Sequence, residues 1–200
     1  MKKTMEKILL ALNATKLDNN TLEFACYLSL LTQSKLYGVF LENIVAEEKP
    51  VLKHVHGVSY VDWVVDEKSE KHKAKMELIE KNISLFEATC TEKGISYDVH
   101  RDDYVPTSEL IEESRFADVL VVDAATSFKK HSEETPTAFL TEVLKKSECP
   151  VIIAPEKFDA FDEIIFSHNN TPSSIFAIKQ FTYLFPQLSD KKVTIIQVNE

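Results

Sequence analysis

The basic cluster Lys129-Lys130-His131 is the group of side chains best placed to bind a ligand. It follows the apolar run 119–122, and in α/β proteins the loop after such a strand lies at the edge of the sheet where ligands bind. Two ammonium groups and an imidazole could hold a phosphate or another anion by charge. A solvated charged loop is the simpler interpretation, because Glu133 and Glu134 follow directly and offset the positive charge.

Two other clusters carry side chains with metal-binding or acid–base chemistry. His54 and His56 share one face of an extended segment, a spacing that can bind a metal, but two imidazoles are too few for a complete site. Asp102 and Asp103 could act as paired carboxylates, although their place before Pro106 is more typical of a loop that leads into a helix. The G-x-S-x-G pattern of a serine nucleophile is absent from the sequence. We therefore expect neither catalytic residues nor a metal site.

Glycine is absent from residue 95 to residue 200. Loops that cradle nucleotide phosphates need glycine, because their backbone adopts positive φ and approaches the phosphates closely. The loop after the apolar run 119–122 begins Asp-Ala-Ala-Thr-Ser-Phe and offers no such residue. The chain therefore combines patterning typical of a nucleotide-binding fold with the loss of its usual phosphate-binding loop.

Composition and charge exclude several classes of protein. Of the 200 residues, 44% are hydrophobic and 28% are charged, which allows a packed core under an ordinary surface. A net charge of −9 opposes binding to nucleic acid and to anionic lipid. No apolar run reaches the roughly 20 residues that a membrane helix needs, and the first residues lack the features of a signal peptide. We expect a cytoplasmic protein with no nucleic-acid partner and no membrane partner.

The three cysteines are Cys26, Cys90 and Cys149. Their wide spacing and the absence of a CxxC pair argue against a zinc site or a redox motif of that type. Each of them falls in an apolar helix or beside a strand. We therefore expect buried, reduced thiols.

Strand and helix patterns alternate along the first 155 residues. Apolar runs and alternating patterns predict five strands, near 7–12, 35–41, 95–99, 119–122 and 149–155. Apolar stripes predict helices near 18–32, near 69–93, from Pro106 to about 116, and after a cap at Thr135-Pro136. Residues 44–67 are less regular, and we expect an excursion over the surface there, with room for a short helical piece. The alternation predicts a parallel α/β sheet with helices on both faces.

A shorter copy of the opening pattern follows. Residues 164–171 parallel residues 8–15, and the apolar run 193–198 parallels 36–41, so the repeat is a βαβ unit. We therefore divide the chain into a full domain (1–155), a linker (156–161) and a partial second domain (162–200). One βαβ unit cannot bury both faces of its strands, so we expect it to dock on the first domain or on a partner chain.

The sequence resembles the universal stress protein family in three segments. These are Lys7-Ile8-Leu9-Leu10-Ala11-Leu12-Asn13, Ala117-Asp118-Val119-Leu120-Val121-Val122 and Glu148-Cys149-Pro150-Val151-Ile152-Ile153. The resemblance covers essentially the whole chain. It implies a Rossmann-like, adenine nucleotide alpha hydrolase-like fold with five parallel strands in the order 3-2-1-4-5. It also implies tandem members with two domains, which fits the partial repeat, and dimers that often pair through the fifth strand.

The fifth strand is accordingly the expected contact of a homodimer. Val151, Ile152, Ile153 and Ala154 form its apolar run, and a proline stands at each end. Prolines are tolerated on an edge strand, because a missing N–H does no harm there. A strand of this kind is free to meet a second copy.

The resemblance also implies where a nucleotide would bind. Members that bind ATP share an aspartate at the end of the first strand and a pattern G-x2-G-x9-G-[ST] after the fourth. Here Asn13 replaces the aspartate, and Asp123, Thr126 and Thr137 stand near the glycine positions. The implied, divergent nucleotide site comprises Asn13, Ala14, Val39, Asp123, Ala124, Thr126 and Thr137, with adenine near Val39 and ribose near Asn13. Because Asp123 would repel a triphosphate, we expect no cofactor and weak or absent ATP binding.

Two functions are compatible with these residues. The missing glycines and catalytic groups favour a non-catalytic stress-response or regulatory protein that acts through dimerisation and contacts with an unidentified protein partner. Its ATP site would be degenerate. The alternative is a nucleotide- or anion-binding module with a divergent pocket at the carboxyl edge of the sheet. An enzyme such as an ATP hydrolase is supported only by analogy of fold.

Overall fold

A parallel sheet of five strands forms the centre of the fold. The computed structural model describes residues 5–43, 48–56, 58–102, 105–129 and 131–197. Numbered along the chain, the strands of this sheet are β1 (Lys7–Asn13), β2 (Lys35–Leu41), β5 (Tyr97–Asp102), β6 (Val119–Asp123) and β7 (Val151–Ala154). They lie in the order β5-β2-β1-β6-β7. Counted among these five strands alone, the order is 3-2-1-4-5, which confirms the prediction.

The central strand β1 is covered on both faces. Ile8 lies beside Leu36 of β2 and Val119 of β6, and the five inner residues of β1 are all buried. Burial on both faces explains why this strand has a continuous apolar run and no alternation.

Four helices cover the two faces of the sheet. They are α1 (Asn19–Thr32), α2 (Glu70–Glu92), α3 (Pro106–Ser114) and α4 (Ala138–Lys146). Helices α1 and α2 pack against the face of β1 that carries Ile8 and Leu10, and α3 and α4 against the face that carries Leu9. None of the helices in the described part of the chain is long and apolar enough to cross a membrane.

The start of α4 differs from the prediction. The expected cap was Thr135-Pro136, whereas the observed cap is Thr137, whose hydroxyl oxygen accepts a hydrogen bond from the N–H of Leu140 at 3.2 Å. The same hydroxyl donates to the carbonyl oxygen of Thr126 at 2.6 Å. This contact with the loop after β6 favours Thr137 over Thr135 as the cap of α4. It joins segments that are separate in the sequence, so local capping preferences do not predict it.

Residues 44–67 also differ from the prediction, because they contain a β-hairpin and no helix among their described residues. β3 (Lys49–Val55) and β4 (Val58–Val64) pair in antiparallel fashion. Residues 44–47 and 57 lie outside the described part of the chain. The hairpin exposes large apolar side chains, namely Val51, Leu52, Tyr60, Val61 and Trp63. Because neither face is buried, the polar–apolar alternation that marks a half-buried strand is missing from the sequence.

Residues 163–197 form a separate βαβ unit. β8 (Glu163–His168) and β9 (Lys192–Gln197) pair in parallel as a sheet of their own, connected by α5 (Pro172–Leu184) and a 3-10 helix (Pro186–Leu188). A turn recurs in both halves of the chain: the side-chain oxygen of Asn13 accepts from the Thr15 hydroxyl at 2.8 Å, and that of Asn169 from the Thr171 hydroxyl at 2.7 Å. The division of the chain into domains stays a prediction.

The βαβ unit packs on the first domain through aromatic residues. Phe158 and Phe161, in the segment expected to be a linker, lie 5.0 and 6.3 Å from the ring of Phe24 in α1, centroid to centroid. Leu184 and Phe185 at the end of α5 are buried in the same core cluster. The segment 156–161 is therefore part of the packing between the two halves.

The opposite side of the unit is open. Ile165 of β8 and Ile195 of β9 are 59% and 65% exposed, and Phe176 and Tyr183 of α5 are 60% and 67% exposed. Ile165 and Ile195 point to opposite faces of the two-stranded sheet, since Ile195 pairs with Phe166 and Ile165 with Thr194. The unit therefore exposes large apolar side chains on its strands and on α5, as surfaces that contact other proteins often do.

Candidate ligand-binding cleft at the carboxyl edge of the sheet

A cleft of about 490 Å³ opens at the carboxyl edge of the five-stranded sheet. Its lining comes from the end of β1, the residues after β2, the loop after β6, the hairpin and the first turns of α2. Charged side chains of both signs face it, namely Glu42, Glu48, Lys49, Asp66, Lys71, Lys75 and Lys129. Ligands of open α/β sheets bind at this edge, which makes the cleft the candidate site.

Asn13 lines the cleft at the end of β1. Its amide nitrogen donates to the carbonyl oxygen of Ser127 at 3.1 Å. Its side-chain oxygen accepts from the N–H of Thr15 at 3.0 Å as well as from the Thr15 hydroxyl. These bonds fasten the loop after β6 to the end of β1, so the side chain has a structural role in the loop.

The Glu133 carboxylate binds several groups of the loop between β6 and α4. Its carboxylate lies 2.7 Å from the ammonium of Lys129, accepts a hydrogen bond from the Ser127 hydroxyl, and accepts a longer one of 3.4 Å from the N–H of Ala138, the first residue of α4. The Glu133 side chain is only 11% exposed. The Lys129 ammonium, with help from Ser127 and the Ala138 N–H, lowers the pKa of this carboxyl from 4.5 to about 2.

The arrangement places a protein carboxylate where an anion would otherwise bind. The first N–H groups of a helix and a nearby lysine attract anions. Here Glu133 accepts from the first residue of α4 and neutralises Lys129. The loop therefore carries its own negative group at that position.

The other predicted residues of this loop serve the backbone. The side chain of Asp123 accepts from the N–H of Ala125 at 3.1 Å, and its carbonyl accepts from the N–H of Thr126 at 3.2 Å, which makes a tight turn after β6. Thr126 and Thr137 are 8% and 2% exposed and are bonded to each other. Ala124 is half-buried in the turn.

Ala14 and Val39 are fully buried. The carbonyl oxygen of Ala14 accepts from the Asn82 amide at 2.8 Å, and Val39 packs in the core on the α3–α4 side of the sheet. Of the seven predicted nucleotide-site residues, Asn13 lines the cleft among the described residues. The other six form the loop or the core behind it.

A buried carboxylate that the sequence did not single out stands at the cleft. Glu42, 3% exposed, follows β2 and lies 2.8 Å from the ammonium of Lys75 in α2 and 2.9 Å from the guanidinium of Arg101 in β5. This group of three joins two strands and a helix at the edge of the sheet. The partners are distant in sequence, so the only sequence signal is a charged residue directly after an apolar strand.

The remaining predicted clusters lie elsewhere. His54 and His56 are exposed on the hairpin, and His131 is exposed in the loop after β6. Asp103 and Lys130 lie outside the described part of the chain. Among the residues that the structure describes, no group of three or more side chains could hold a metal ion.

The predicted dimer segment forms the edge strand β7, which pairs with β6 on one side only. Ile153 is 44% exposed, Val151 and Ile152 are half-buried, and Ala154 is buried. An apolar groove of about 400 Å³ runs beside this strand, between it and the aromatic residues Phe158 and Phe181.

Comparison with solved structures identifies the fold. A universal stress protein from Archaeoglobus fulgidus matches with 14% identity and a TM-score of 0.60, over 100% of this chain and 80% of that chain. A protein of the universal stress protein family from Burkholderia pseudomallei matches with 16% identity and a TM-score of 0.50, over 78% of this chain and 99% of that chain. A universal stress protein from Archaeoglobus fulgidus in complex with dAMP matches at 14% identity and a TM-score of 0.47, over 75% and 98%.

Sequence comparison adds nothing to this assignment. No protein-family model matches the chain, and no curated protein is a significant match. The likeness rests on the order of the strands and on the helices that cover them. The sequence identities are low, so the likeness supports an assignment of the fold alone. On that basis the chain has the universal stress protein fold.

Proposed function

We propose that this chain is a non-catalytic, universal stress protein-like regulatory protein that acts through dimerisation and contacts with a protein partner. In this proposal its ATP site is degenerate. The observation that carries it is the Glu133 carboxylate at the start of α4, where it neutralises Lys129.

A nucleotide triphosphate would be poorly accommodated beside this loop. The donors that could receive a phosphate there, the Ser127 hydroxyl and the Lys129 ammonium, are already bonded to Glu133. Asp123 contributes a second carboxylate at the end of β6. Like charges at short range repel strongly where water is partly excluded.

Calorimetric titration with ATP–Mg tests the degenerate site. We expect no measurable heat of binding with the wild-type protein. Glu133→Gln removes the charge while keeping the shape, so Lys129 is released and binding becomes stronger. The matched control is Glu134→Gln, which removes a neighbouring charge that is exposed. Low-micromolar affinity of the wild-type protein for ATP would contradict the proposal.

The regulatory role is supported by the apolar surfaces of the chain. The edge strand β7, the hairpin β3–β4 and the outer side of the βαβ unit each expose large hydrophobic side chains. Apolar patches of this kind are typical of surfaces that contact other proteins.

A second candidate is a binding module for a nucleotide or small anion. The cleft volume of about 490 Å³ and its lining lysines, Lys49 and Lys71, favour it. A thermal-shift screen with ATP, AMP, cyclic nucleotides, phosphate and sulfate separates the two candidates, since a ligand that binds only the folded state raises Tm. A rise with AMP or phosphate in the wild-type protein would favour the second candidate.

A further inference from the structure

The hairpin β3–β4 separates its apolar and charged side chains onto two faces. Leu52 pairs with Val61 and Pro50 with Trp63, and residues that pair across a ladder share a face. On this face Leu52, Val61 and Trp63 are 61%, 57% and 59% exposed. The lysine and aspartate side chains of the two strands lie on the opposite face, namely Lys49, Lys53 and Asp62. A two-stranded hairpin is marginally stable alone and gains stability when further strands join it.

The two edges of the hairpin differ in how they are protected. β3 contains Pro50, which lacks an N–H, together with Lys49 and Lys53, and residues of these types keep other strands away from an edge. β4 contains neither proline nor lysine. Its one charged residue is Asp62, whose carboxylate lies 2.5 Å from the ammonium of Lys53 and is thereby neutralised. Within the described residues β4 pairs with β3 alone, so its outer edge is open to another strand.

The register of the hairpin determines which backbone groups face this open edge. Val55 pairs with Val58 across a loop of two residues, and the two ends of such a turn are joined by a hydrogen bond. Because bonded and non-bonded pairs alternate along an antiparallel ladder, the N–H and C=O groups of Ser59, Val61 and Trp63 point away from β3. The N–H of Trp63 donates to the carboxylate of Asp62 at 3.0 Å, as expected of a donor that no neighbouring strand engages.

We propose that β4 pairs in antiparallel fashion with β4 of a second copy of this chain, about a two-fold axis at Val61, so that two hairpins form one four-stranded sheet. Val61 is the midpoint of β4 (Val58–Val64), so this register pairs all seven residues of the strand. Val61 faces its own counterpart, and the two copies exchange a pair of hydrogen bonds there. The proposal rests on self-association as part of the proposed function, and it adds a contact separate from the one at β7.

Charge and side-chain packing favour this register. Asp62 stands opposite Tyr60 of the second copy, whereas a two-fold axis at Asp62 would set two carboxylates against each other, which is destabilising. On the apolar face, Leu52 and Val61 of one copy continue into Val61 and Leu52 of the other as a single row across the four strands. Trp63 comes to lie beside Ser59 of the second copy. The contact is isologous, because the same strand serves both partners, and it therefore closes as a dimer.

The test compares two proline variants by sedimentation velocity over a range of protein concentrations. Both are made in the full chain that also carries Ile153→Lys, so that the proposed contact at β7 does not contribute. Val61→Pro removes an N–H that faces the open edge and leaves the ladder to β3 intact. It should raise the dissociation constant of the dimer by about tenfold or more, because each copy loses one hydrogen bond. Leu52→Pro is the matched control, since it removes the outward N–H of the opposite residue on β3, and association should persist.

Trp63 gives an independent readout, because it is the only tryptophan of the chain. Its emission should shift to shorter wavelength as the protein concentration rises, and Val61→Pro should abolish this shift while Leu52→Pro keeps it. If the proline variants lose their far-UV circular dichroism, Val61→Lys and Leu52→Lys replace them, since two lysines opposite each other on the axis repel.

Two results would overturn the proposal: a Trp63 emission that does not change with concentration, or equal association of the Val61 and Leu52 variants. Neither result depends on the contact at β7 or on the ATP site. Failure of the β4 contact is therefore distinguishable from failure of the proposed function.

Discussion

Glu133 is the side chain that pairs with Lys129 in the loop between β6 and α4. Its pKa is lowered from 4.5 to about 2 because the Lys129 ammonium and the Ser127 hydroxyl stabilise the ionised form. A carboxyl whose pKa is depressed in the folded state contributes stability above its unfolded pKa and loses that contribution as pH falls through the folded value.

We therefore expect the wild-type protein to lose stability between pH 4.5 and about 2 more steeply than Glu133→Gln. The glutamine variant lacks the ionised partner of Lys129, so its Tm is lower near pH 7 and the two values converge toward pH 2. Melting curves recorded across this range check the prediction. Parallel Tm curves for the two proteins would contradict it.

Gly38 in β2 leaves the space that the ring of Phe86 occupies in the core. A Cβ built at this position would lie 2.8 Å from the ring of Phe86, which is fully buried. Phe86 is itself held between the rings of Phe40 and Tyr97, at centroid distances of 5.7 and 5.8 Å. The ring therefore has little room to move away.

Gly38→Ala should cost about 1–3 kcal/mol of unfolding free energy, the usual range for overpacking a core. Urea denaturation measures the loss. In a Phe86→Leu background the smaller side chain makes room for the methyl group, so the same substitution should cost less. Equal costs in the two backgrounds would show that strain against Phe86 is not the cause.

At the scale of elements, Glu42 joins β2, β5 and α2. Its carboxylate is buried between Lys75 and Arg101, and removal of one member of a buried ion pair leaves the others without compensation. Glu42→Gln should destabilise the fold by about 3 kcal/mol in urea denaturation. The matched control is Glu80→Gln, which removes an exposed partner of the same arginine, 3.4 Å away, and should change stability by less than about 0.5 kcal/mol. Equal losses of unfolding free energy in the two variants would contradict the prediction that the buried carboxylate matters more than the exposed one.

The edge strand β7 is the element proposed to contact a second copy. Ile153 is 44% exposed there, and a charged side chain at the centre of an apolar contact opposes association. Ile153→Lys should shift the protein toward monomer in sedimentation velocity at tens of micromolar. Leu78→Lys, at a site of 41% exposure on α2, is the matched control. A wild-type protein that sediments as a monomer would contradict the prediction, as would an Ile153→Lys variant with unchanged association.

At the scale of the whole molecule, the βαβ unit shields part of the first domain. Deletion of residues 160–200 removes Phe161, Leu184 and Phe185 from the core cluster that contains Phe24. We expect the truncated chain to keep its far-UV circular dichroism, to melt at a lower temperature, and to change its oligomeric state, since apolar surface is newly exposed. Phe176→Ser, on the open side of α5, should leave Tm unchanged. A truncated chain with the same Tm and an unchanged monomer-to-dimer ratio would show that the unit is not coupled to the first domain.

The five-stranded sheet could be predicted because each buried strand leaves an apolar run in the sequence, as at residues 7–12. The hairpin could not, because its strands are exposed on both faces and lack that signal. The same limit applies to the candidate site. The end of an apolar strand marks the position of Asn13, which lines the cleft, whereas the contacts of Glu133 and Glu42 depend on how distant segments meet. Local sequence patterns predict which residues are buried and where helices are capped. They do not predict which charged side chains pair between elements, because those pairs form only in the tertiary structure.

The small parallel sheet of the βαβ unit has a consequence for the behaviour of the protein under heat. Within the described residues, β8 and β9 pair only with each other, so each strand has one unpaired edge. The segment Val193-Thr194-Ile195-Ile196-Gln197 is uncharged and β-prone, and short segments of this type stack into cross-β fibrils when they are released from a fold. Lys191 and Lys192 flank it as gatekeepers. Loss of the contacts at Phe185 on heating would thus release this segment for aggregation, and thermal unfolding would become irreversible and dependent on protein concentration.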